Sequence, residues 1–146
     1  MTTKQISVFL ENKPGTLAEF CRVLRKHDIN MRALCLADAM DFGIARVIVD
    51  DVSDTVRVLR EENYVFQITK VLTVEMRNEP GAFSEILDIL GEEGINIEYT
   101  YAFLTRQKGK AYLVIKVADG KAAGELLLDR GVKVICQDEL EKVFSN

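Results

Sequence analysis

Ile6, Val8 and Leu10 occupy alternate positions, with Ser7 and Phe9 between them, the period-two pattern of a strand that buries one face. A polar turn follows, Asn12-Lys13-Pro14-Gly15. Apolar residues then recur at Leu17, Phe20, Cys21 and Leu24, the i, i+3, i+4, i+7 stripe of a helix with one buried face. Pro14 suits the first turn of that helix, where a missing N–H costs nothing, and Asp28 marks its end. A strand is predicted from Asn30 to about Asp38, a hairpin turn near Asp41-Phe42-Gly43, and a return strand over Ile44 to Val49. A second helix spans roughly Ser53 to Glu62 with Val56 and Leu59 on its apolar face, and a last strand runs from Val65 to Lys70.

The same succession then begins again. Sliding the sequence by 66 residues sets Asn12, Pro14 and Gly15 on Asn78, Pro80 and Gly81, Glu19 on Glu85, Leu24 on Leu90, Ile29-Asn30 on Ile95-Asn96, and Gly43 and Ala45 on Gly109 and Ala111. The register holds without a gap for about 45 residues and involves special residue types, the mark of an internal duplication. The second copy has a strand at Val71 to Met76 and a helix with Phe83, Ile86, Leu87 and Leu90 on its buried face, stopped at Gly94. A strand from Asn96 to about Thr105, a turn near Gln107-Lys108-Gly109 and a strand over Ala111 to Val117 follow. Next come a helix over Lys121 to Arg130, with Ala123, Leu126 and Leu127 inward, and a strand over Val132 to Cys136. The tail from Asp138 to Asn146 is expected to form a single helical turn.

The order βαββαβ, twice, predicts an α+β protein of two ferredoxin-like units in tandem, residues 1–70 and 71–146. Each unit would have an antiparallel sheet with its helices on one face. No Gly, Pro or Ser linker separates the copies. The strand after the first helix of each copy is expected at a sheet edge. It carries Met31, Leu34, Cys35 and Leu36, or Ile97, Tyr99, Tyr101 and Phe103, so pairing of edges within or between chains is predicted. Units of roughly 70 residues lie near the lower limit for independent stability and need to share surface.

Composition narrows the function. The net charge is −4 and basic residues are scattered among acids, which argues against nucleic acid as a partner. No signal-peptide core and no membrane-length apolar run is present, so the cytoplasm is the expected location and no membrane partner is expected. The three cysteines, Cys21, Cys35 and Cys136, form no CxxC pair and are expected to be buried thiols. His27, the one histidine, sits at a helix C-terminus, where a cation is favoured. No catalytic or metal-ligating constellation emerges; Asp50, Asp51 and Asp54 precede a helix and are expected to cap it. An acylphosphatase-like loop needs an Arg that Asn-Lys-Pro-Gly lacks, and a copper-chaperone loop needs CxxC.

The Asn-x-Pro-Gly loops are the candidate chemistry. A loop between a strand end and a helix N-terminus offers free backbone N–H groups to an anion such as a carboxylate. Gly permits close approach, and an Asn amide can both donate and accept. Asn30 and Asn96 open the following strands, and those strand ends are expected near the loops. The alternative, that these four Asn only shape turns and caps, stays open on residue chemistry alone.

The combination of strand, Asn-x-Pro-Gly, amphipathic helix, Ile-Asn and strand resembles the ACT domain family. It is carried by Glu11 to Leu17 with Ile29-Asn30-Met31, and by Arg77 to Phe83 with Ile95-Asn96-Ile97. The resemblance covers almost the whole chain. It looks closest to the small stand-alone tandem ACT proteins of bacteria and archaea, which have stretches similar to Ala37-Asp38, Asp41-Phe42-Gly43-Ile44 and Ile97 to Phe103. It implies a non-catalytic regulatory or sensor protein without a cofactor or metal, binding a small amino acid at the interface between ACT units. The implied ligand-binding residues are Asn12, Pro14, Gly15, Thr16, Leu17, Asn30 and Met31 in the first copy. In the second they are Asn78, Pro80, Gly81, Ala82, Phe83, Asn96 and Ile97, with Tyr99 a further wall candidate. Serine-inhibited phosphoglycerate dehydrogenases of the family place a histidine two residues before the loop Asn; here those positions hold Leu10 and Met76, which argues against serine. Implied partners are a free amino acid, a second copy through edge strands (a homodimer), and an enzyme. The alternative function is a dissociable regulatory subunit of an amino-acid biosynthetic enzyme, similar to the acetolactate synthase small subunit.

Overall fold

The computed structural model describes residues 1–104 and 107–144. The chain packs as two units: Lys4–Thr69 is the first, and Lys70–Asn146 together with Met1–Thr3 the second. The repeat assigns residues 1–3 to the first copy. They pack with the second because the Thr3 hydroxyl donates to the Ile135 carbonyl (3.3 Å) and accepts from the Thr73 hydroxyl (3.1 Å).

The first unit contains β1 (Thr3–Glu11), α1 (Thr16–Lys26), β2 (Met31–Ala39), β3 (Phe42–Val49), α2 (Val52–Glu61) and the start of β4 (Val65–Arg77). The strand order is β2-β3-β1-β4. Antiparallel pairing sets Ile6 opposite Val47, Val8 opposite Ala45 and Leu10 opposite Gly43. Alternate residues of β1 and β3 therefore point the same way, and Ile6, Val8, Val47 and Val49 meet Phe20 and Leu24 of α1 and Leu59 of α2 in one core. Both helices thus lie on one face of the sheet, as the period-two and period-3.6 patterns require. Burying side chains of this size contributes about 1.5–3 kcal/mol each.

The second unit repeats the plan with the rest of β4, α3 (Ala82–Glu92), β5 (Tyr99–Ala102), β6 (Lys110–Lys116), α4 (Gly120–Asp129) and β7 (Lys133–Val134), then adds α5 (Gln137–Phe144). Its order is β7-β4-β6-β5, and its core joins Leu72, Val74, Ile115, Ile86, Leu90 and Leu127. In each unit the strand after the first helix, β2 or β5, is the outermost.

Several elements depart from the sequence expectation. Helices α1 and α3 start at Thr16 and Ala82, so Pro14 and Pro80 sit in the turn before the helix. The β2–β3 turn is Met40-Asp41, tightened by a left-handed Met40 (φ 63°), and Phe42 and Gly43 already belong to β3. Strand β5 is short: beyond its ends, Glu98 N–H still bonds the Lys116 carbonyl and Phe103 N–H the Tyr112 carbonyl (each 2.9 Å). The expected end near Thr105 lies outside the described residues. Strand β7 is cut to two residues because the chain turns into α5, which is a helix of eight residues. Phe144 of α5 packs on Phe103 (centroids 5.0 Å apart) and Tyr112 (4.8 Å); the last two residues of the predicted tail lie outside the described set. The three thiols are half-buried rather than buried; Cys35 is on an outermost strand.

Candidate ligand-binding site

The two Asn-x-Pro-Gly loops share a construction that the starts of α2 and α4 lack. Helices α2 and α4 are capped by their own acids: the Asp51 carboxylate accepts from Asp54 N–H (2.9 Å) and the Asp119 carboxylate from Ala122 N–H (3.1 Å). Helices α1 and α3 have Gly15 (φ 86°) and Gly81 (φ 88°) at that position, with no side-chain cap. A left-handed φ is strained for any L side chain, so both glycines are required by the turn. The Thr16 and Ala82 N–H groups donate back to the Lys13 and Glu79 carbonyls (3.4 and 3.3 Å), which leaves the next first-turn N–H groups of α1 and α3 without an intrahelical partner.

Asn12 holds its loop against the β2–β3 turn. Its backbone N–H donates to the Asp41 carbonyl and its Nδ2 to the Met40 carbonyl, both at 3.1 Å. Asn78 repeats the backbone half of this, its N–H donating to the Gly109 carbonyl at 3.0 Å. The turn-shaping reading of these residues is therefore part of the answer, and one side-chain amide hydrogen and Oδ1 of Asn12 remain for other partners.

Beside the first loop lies a cleft of about 200 Å³ lined by Leu10, Glu11, Asn12, Lys13, Thr16, Leu17, Leu36, Ala37, Asp38 and Gly43. Leu10, Leu17 and Leu36 make its apolar wall. Thr16 Oγ1 is buried and has no hydrogen-bond partner among the described residues, a state that costs about 1–3 kcal/mol. Lys13 Nζ lies 2.8 Å from the Glu11 carboxylate. Its hydrogen bond holds the Glu11 carboxyl below its ordinary range and Glu11 in turn pushes the Lys13 ammonium up. The cleft residues Leu36 to Asp38 and Gly43 were not among the sequence candidates. The strand register held the signal, because Asp38 pairs with Gly43 and Gly43 with Leu10.

Asn30 and Met31 are elsewhere. They line a separate cleft of about 470 Å³ with Cys21, Leu24, Arg25, Asp28 and Ile29, at the C-terminal end of α1. Helix α1 has 11 residues, which at 1.5 Å per residue separates its ends by about 16 Å. The expectation that the Asn30 strand end lies near the loop is corrected: the helix carries the chain from one end of the sheet to the other. Asn30 Nδ2 donates to Asp50 (3.5 Å), and Asp50 also accepts a two-pronged bond from Arg32 (2.7 and 2.8 Å).

The second copy is built differently around the same backbone. Ala82 stands where Thr16 does, Phe83 where Leu17 does, and Leu104 where Asp38 does. Arg77 spans its loop, with 3.0 Å to Glu79 and 2.8 Å to Glu85. Ala82 lines a cleft of about 380 Å³ with Met76, Arg77, Glu85, Ile86, Gly109, Lys110, Gly131, Val132 and Lys133. Phe83 and Ile97 are half-buried against the core of the second unit, while Asn78, Pro80, Gly81 and Asn96 are exposed, as are Pro14 and Gly15. Asn96 stands beyond the C-terminal end of α3, just as Asn30 stands beyond that of α1. His27 Nε2 lies 3.7 Å from Glu62. Among the described residues no group of three or more His, Cys, Asp or Glu is placed to hold a metal ion, and no helix is long and apolar enough to cross a membrane.

A family model described as an ACT domain pair matches residues 1–144. Protein BT0572 from Bacteroides thetaiotaomicron has a crystal structure similar to this chain (TM-score 0.89, 38% identity, 97% of each chain covered). The ligand-free regulatory subunit of aspartate kinase from Thermus thermophilus shares the fold at 14% identity (TM-score 0.61, 86% of this chain and 90% of that one). A structure of aspartokinase alpha and beta subunits does so at 20% identity (TM-score 0.57, with the same coverage of 86% and 90%). No curated protein sequence is significantly similar to this chain.

Proposed function

The chain belongs to the ACT domain pair family, and from that premise we propose that it is a non-catalytic sensor that binds a free amino acid at the first Asn-x-Pro-Gly loop. One observation carries the reading: the uncapped start of α1 opens on a cleft in which the Thr16 hydroxyl has no partner among the described residues. An α-carboxylate fits there, accepting from first-turn N–H groups and from Thr16, with the helix dipole behind it. Asn12 Oδ1 is in place to accept from the α-ammonium group. Leu10, Leu17 and Leu36 then face the ligand side chain, which favours a small aliphatic amino acid over a hydroxylated one. A cleft of about 200 Å³ is below the usual range for drug-sized ligands and suits a smaller one.

Asn12 and Asn30 of one unit stand at opposite ends of α1, so a ligand that touches both kinds of Asn draws on two units. That agrees with the reading that the amino acid binds where ACT units pair. A thermal-shift screen of the twenty amino acids tests the proposal. A ligand at about 100 times its Kd adds about 2.7 kcal/mol, and aliphatic amino acids are expected to raise Tm most. A folded protein that shifts with none of them at millimolar concentration rejects it. A second reading, a dissociable regulatory subunit of an amino-acid biosynthetic enzyme, is favoured by the exposed apolar groups at the β2–β3 turn: Leu36 is 52% exposed, Met40 88% and Phe42 43%. It predicts co-purification with a catalytic chain from the native cell, lost when Met40 is changed to Asp.

A further inference from the structure

The second unit has a cleft where the first unit has a pair of rings. In the first, Phe20 of α1 is fully buried and meets Tyr64, just after α2, edge to face with centroids 5.6 Å apart. The second unit keeps the backbone and shrinks both side chains. At a shift of 66, Phe20 is Ile86. After the second helix of each copy the register moves by two, because the left-handed Asn63 corresponds to the left-handed Gly131. The next residues, Tyr64 and Val132, donate to the Leu59 and Leu127 carbonyls, both at 2.9 Å, so Tyr64 corresponds to Val132. Ile86 and Val132 now line the open cleft of about 380 Å³, beside Met76 and Ala82. Small-molecule sites have volumes of about 300–1,000 Å³.

The charged lining of this cleft is also particular to the second copy. Lys110 and Lys133 stand where the first copy has Ile44 and Val65, and Glu75 stands where it has Phe9. Each lysine lies 3.4 Å from the Glu75 carboxylate, which also accepts from the Tyr112 hydroxyl at 2.9 Å. Two ammonium groups thus share one carboxylate and can hold a second in charge-assisted bonds. The carboxylates that line the cleft are engaged, Glu75 in this cluster and Glu85 by Arg77 at 2.8 Å, so an ammonium group entering it would have to displace a cation. Stability accounts for neither change. Replacing two packed rings by Ile and Val forfeits apolar burial and a ring contact, and half-exposed lysines add little to the fold.

We propose that this cleft binds a small aliphatic carboxylate that has no ammonium group. The carboxylate sits beside Lys110 and Lys133, and the tail lies on Met76, Ala82, Ile86 and Val132. The site is contained in the second unit, and the inference holds whether or not an amino acid binds at the first loop.

The test is methyl-resolved NMR of the full chain, following the Ile86 and Val132 signals. The probe is 4-methylpentanoate; leucine has the same skeleton with an ammonium group added, and sodium chloride controls for ionic strength. Millimolar 4-methylpentanoate is expected to move both signals, whereas leucine and sodium chloride leave them in place. Lys110→Gln/Lys133→Gln, at two exposed positions, is expected to weaken binding roughly tenfold. Val132→Tyr restores the ring of the first copy and is expected to abolish the movement of Ile86. Circular dichroism verifies folding, and the lysine variant tests the site even if Val132→Tyr fails to fold. Four results overturn the proposal: no movement with millimolar 4-methylpentanoate, equal movement with sodium chloride, equal movement with leucine, or binding unchanged in the lysine variant.

Discussion

The two copies keep their backbone and exchange the signs of several ion pairs. Glu11–Lys13 at the first loop (2.8 Å) is Arg77–Glu79 at the second (3.0 Å). Arg32–Asp50, between β2 and the end of β3 (2.7 Å), is Glu98–Lys116 at the same place in the second unit (3.2 Å). Each unit has both partners of every pair, so the inversion leaves internal stability nearly untouched while changing what a ligand or a neighbouring surface meets. The Asn-x-Pro-Gly turn is held constant by backbone geometry; the sign of charge around it is not. The polar groups inside the first cleft, Thr16 and Asp38, have also become Ala82 and Leu104 in the second copy. The duplication has therefore kept one turn geometry and set two different groups of residues around it.

Breaking one partner of an inverted pair is expected to have the largest effect. The side chains of Arg32 and Asp50 are only 18% and 22% exposed, so Asp50→Lys, which sets two cations together, costs about 2–3 kcal/mol by urea unfolding. The double change Arg32→Glu/Asp50→Lys transplants the second copy's arrangement and recovers most of it; no recovery means the pairs are not interchangeable. Second in size are the two kinds of Asn. If copy one of one molecule pairs with copy two of another, a ligand between them is expected to meet the Asn12 loop of the first and Asn96 of the second. Asn12→Ala and Asn96→Ala are then each expected to weaken amino-acid binding by about 1–2 kcal/mol in calorimetric titrations, with strong non-additivity in the double variant. An additive pair, with Asn30→Ala coupled to Asn12→Ala instead, points to like copies pairing.

A third prediction uses a cluster with no counterpart in the first copy. The Tyr112 hydroxyl donates to Glu75 (2.9 Å), with Lys110 and Lys133 each 3.4 Å from that carboxylate; the equivalent residues are Arg46 and Phe9. Burial first, then Glu75, pushes the Tyr112 phenol up from 10.0 to about 12. The folded protein keeps the phenol protonated where the unfolded chain has ionised it. Stability from Tyr112 is thus full below pH 10 and lost as pH rises to about 12. Tyr112→Phe flattens that alkaline loss; an unchanged pH profile rejects the assignment. The Tyr112 hydrogen bond and the two lysines hold Glu75 below its ordinary range against the opposing effect of burial, so its contribution disappears only as pH falls through that lowered value. The smallest effect is expected at Asp28, left-handed at φ 55° where the second copy has Gly94 at φ 70°. Asp28→Gly is expected to raise stability by at most about 1 kcal/mol, read as a small increase in Tm.

Much of the fold was legible because burial writes directly into sequence. The stripe Leu17-Phe20-Cys21-Leu24 gave α1, the alternation Ile6-Val8-Leu10 gave β1, and Asp28 and Gly94 stop their helices by left-handed turns. Elements held by few hydrogen bonds were less legible: β7 is curtailed by α5, whose docking through Phe144 onto Phe103 and Tyr112 is a tertiary event with no local signature. The site was half legible. The loop Asn, Pro and Gly stand out as residue types. Leu36 and Asp38 reach the cleft only through strand register, and the distance from Asn12 to Asn30 follows from the path of a helix rather than from spacing in sequence. Charge inversion was present in the aligned copies all along. It reads as mere divergence until the ion pairs show that both partners changed together.

The contact of Thr3 with Ile135 spans 132 residues, and it orders events during synthesis. Residues 4–69 have all of their own unit once Thr69 has left the ribosome. Met1–Thr3 precede that unit in the chain and find their partners in α4 and beyond β7, so that the second unit closes only after the chain has passed Ile135. Domains fold as units while translation proceeds at about 5–20 residues per second. The first unit therefore has several seconds to form before the residues that Met1–Thr3 pack against have been made.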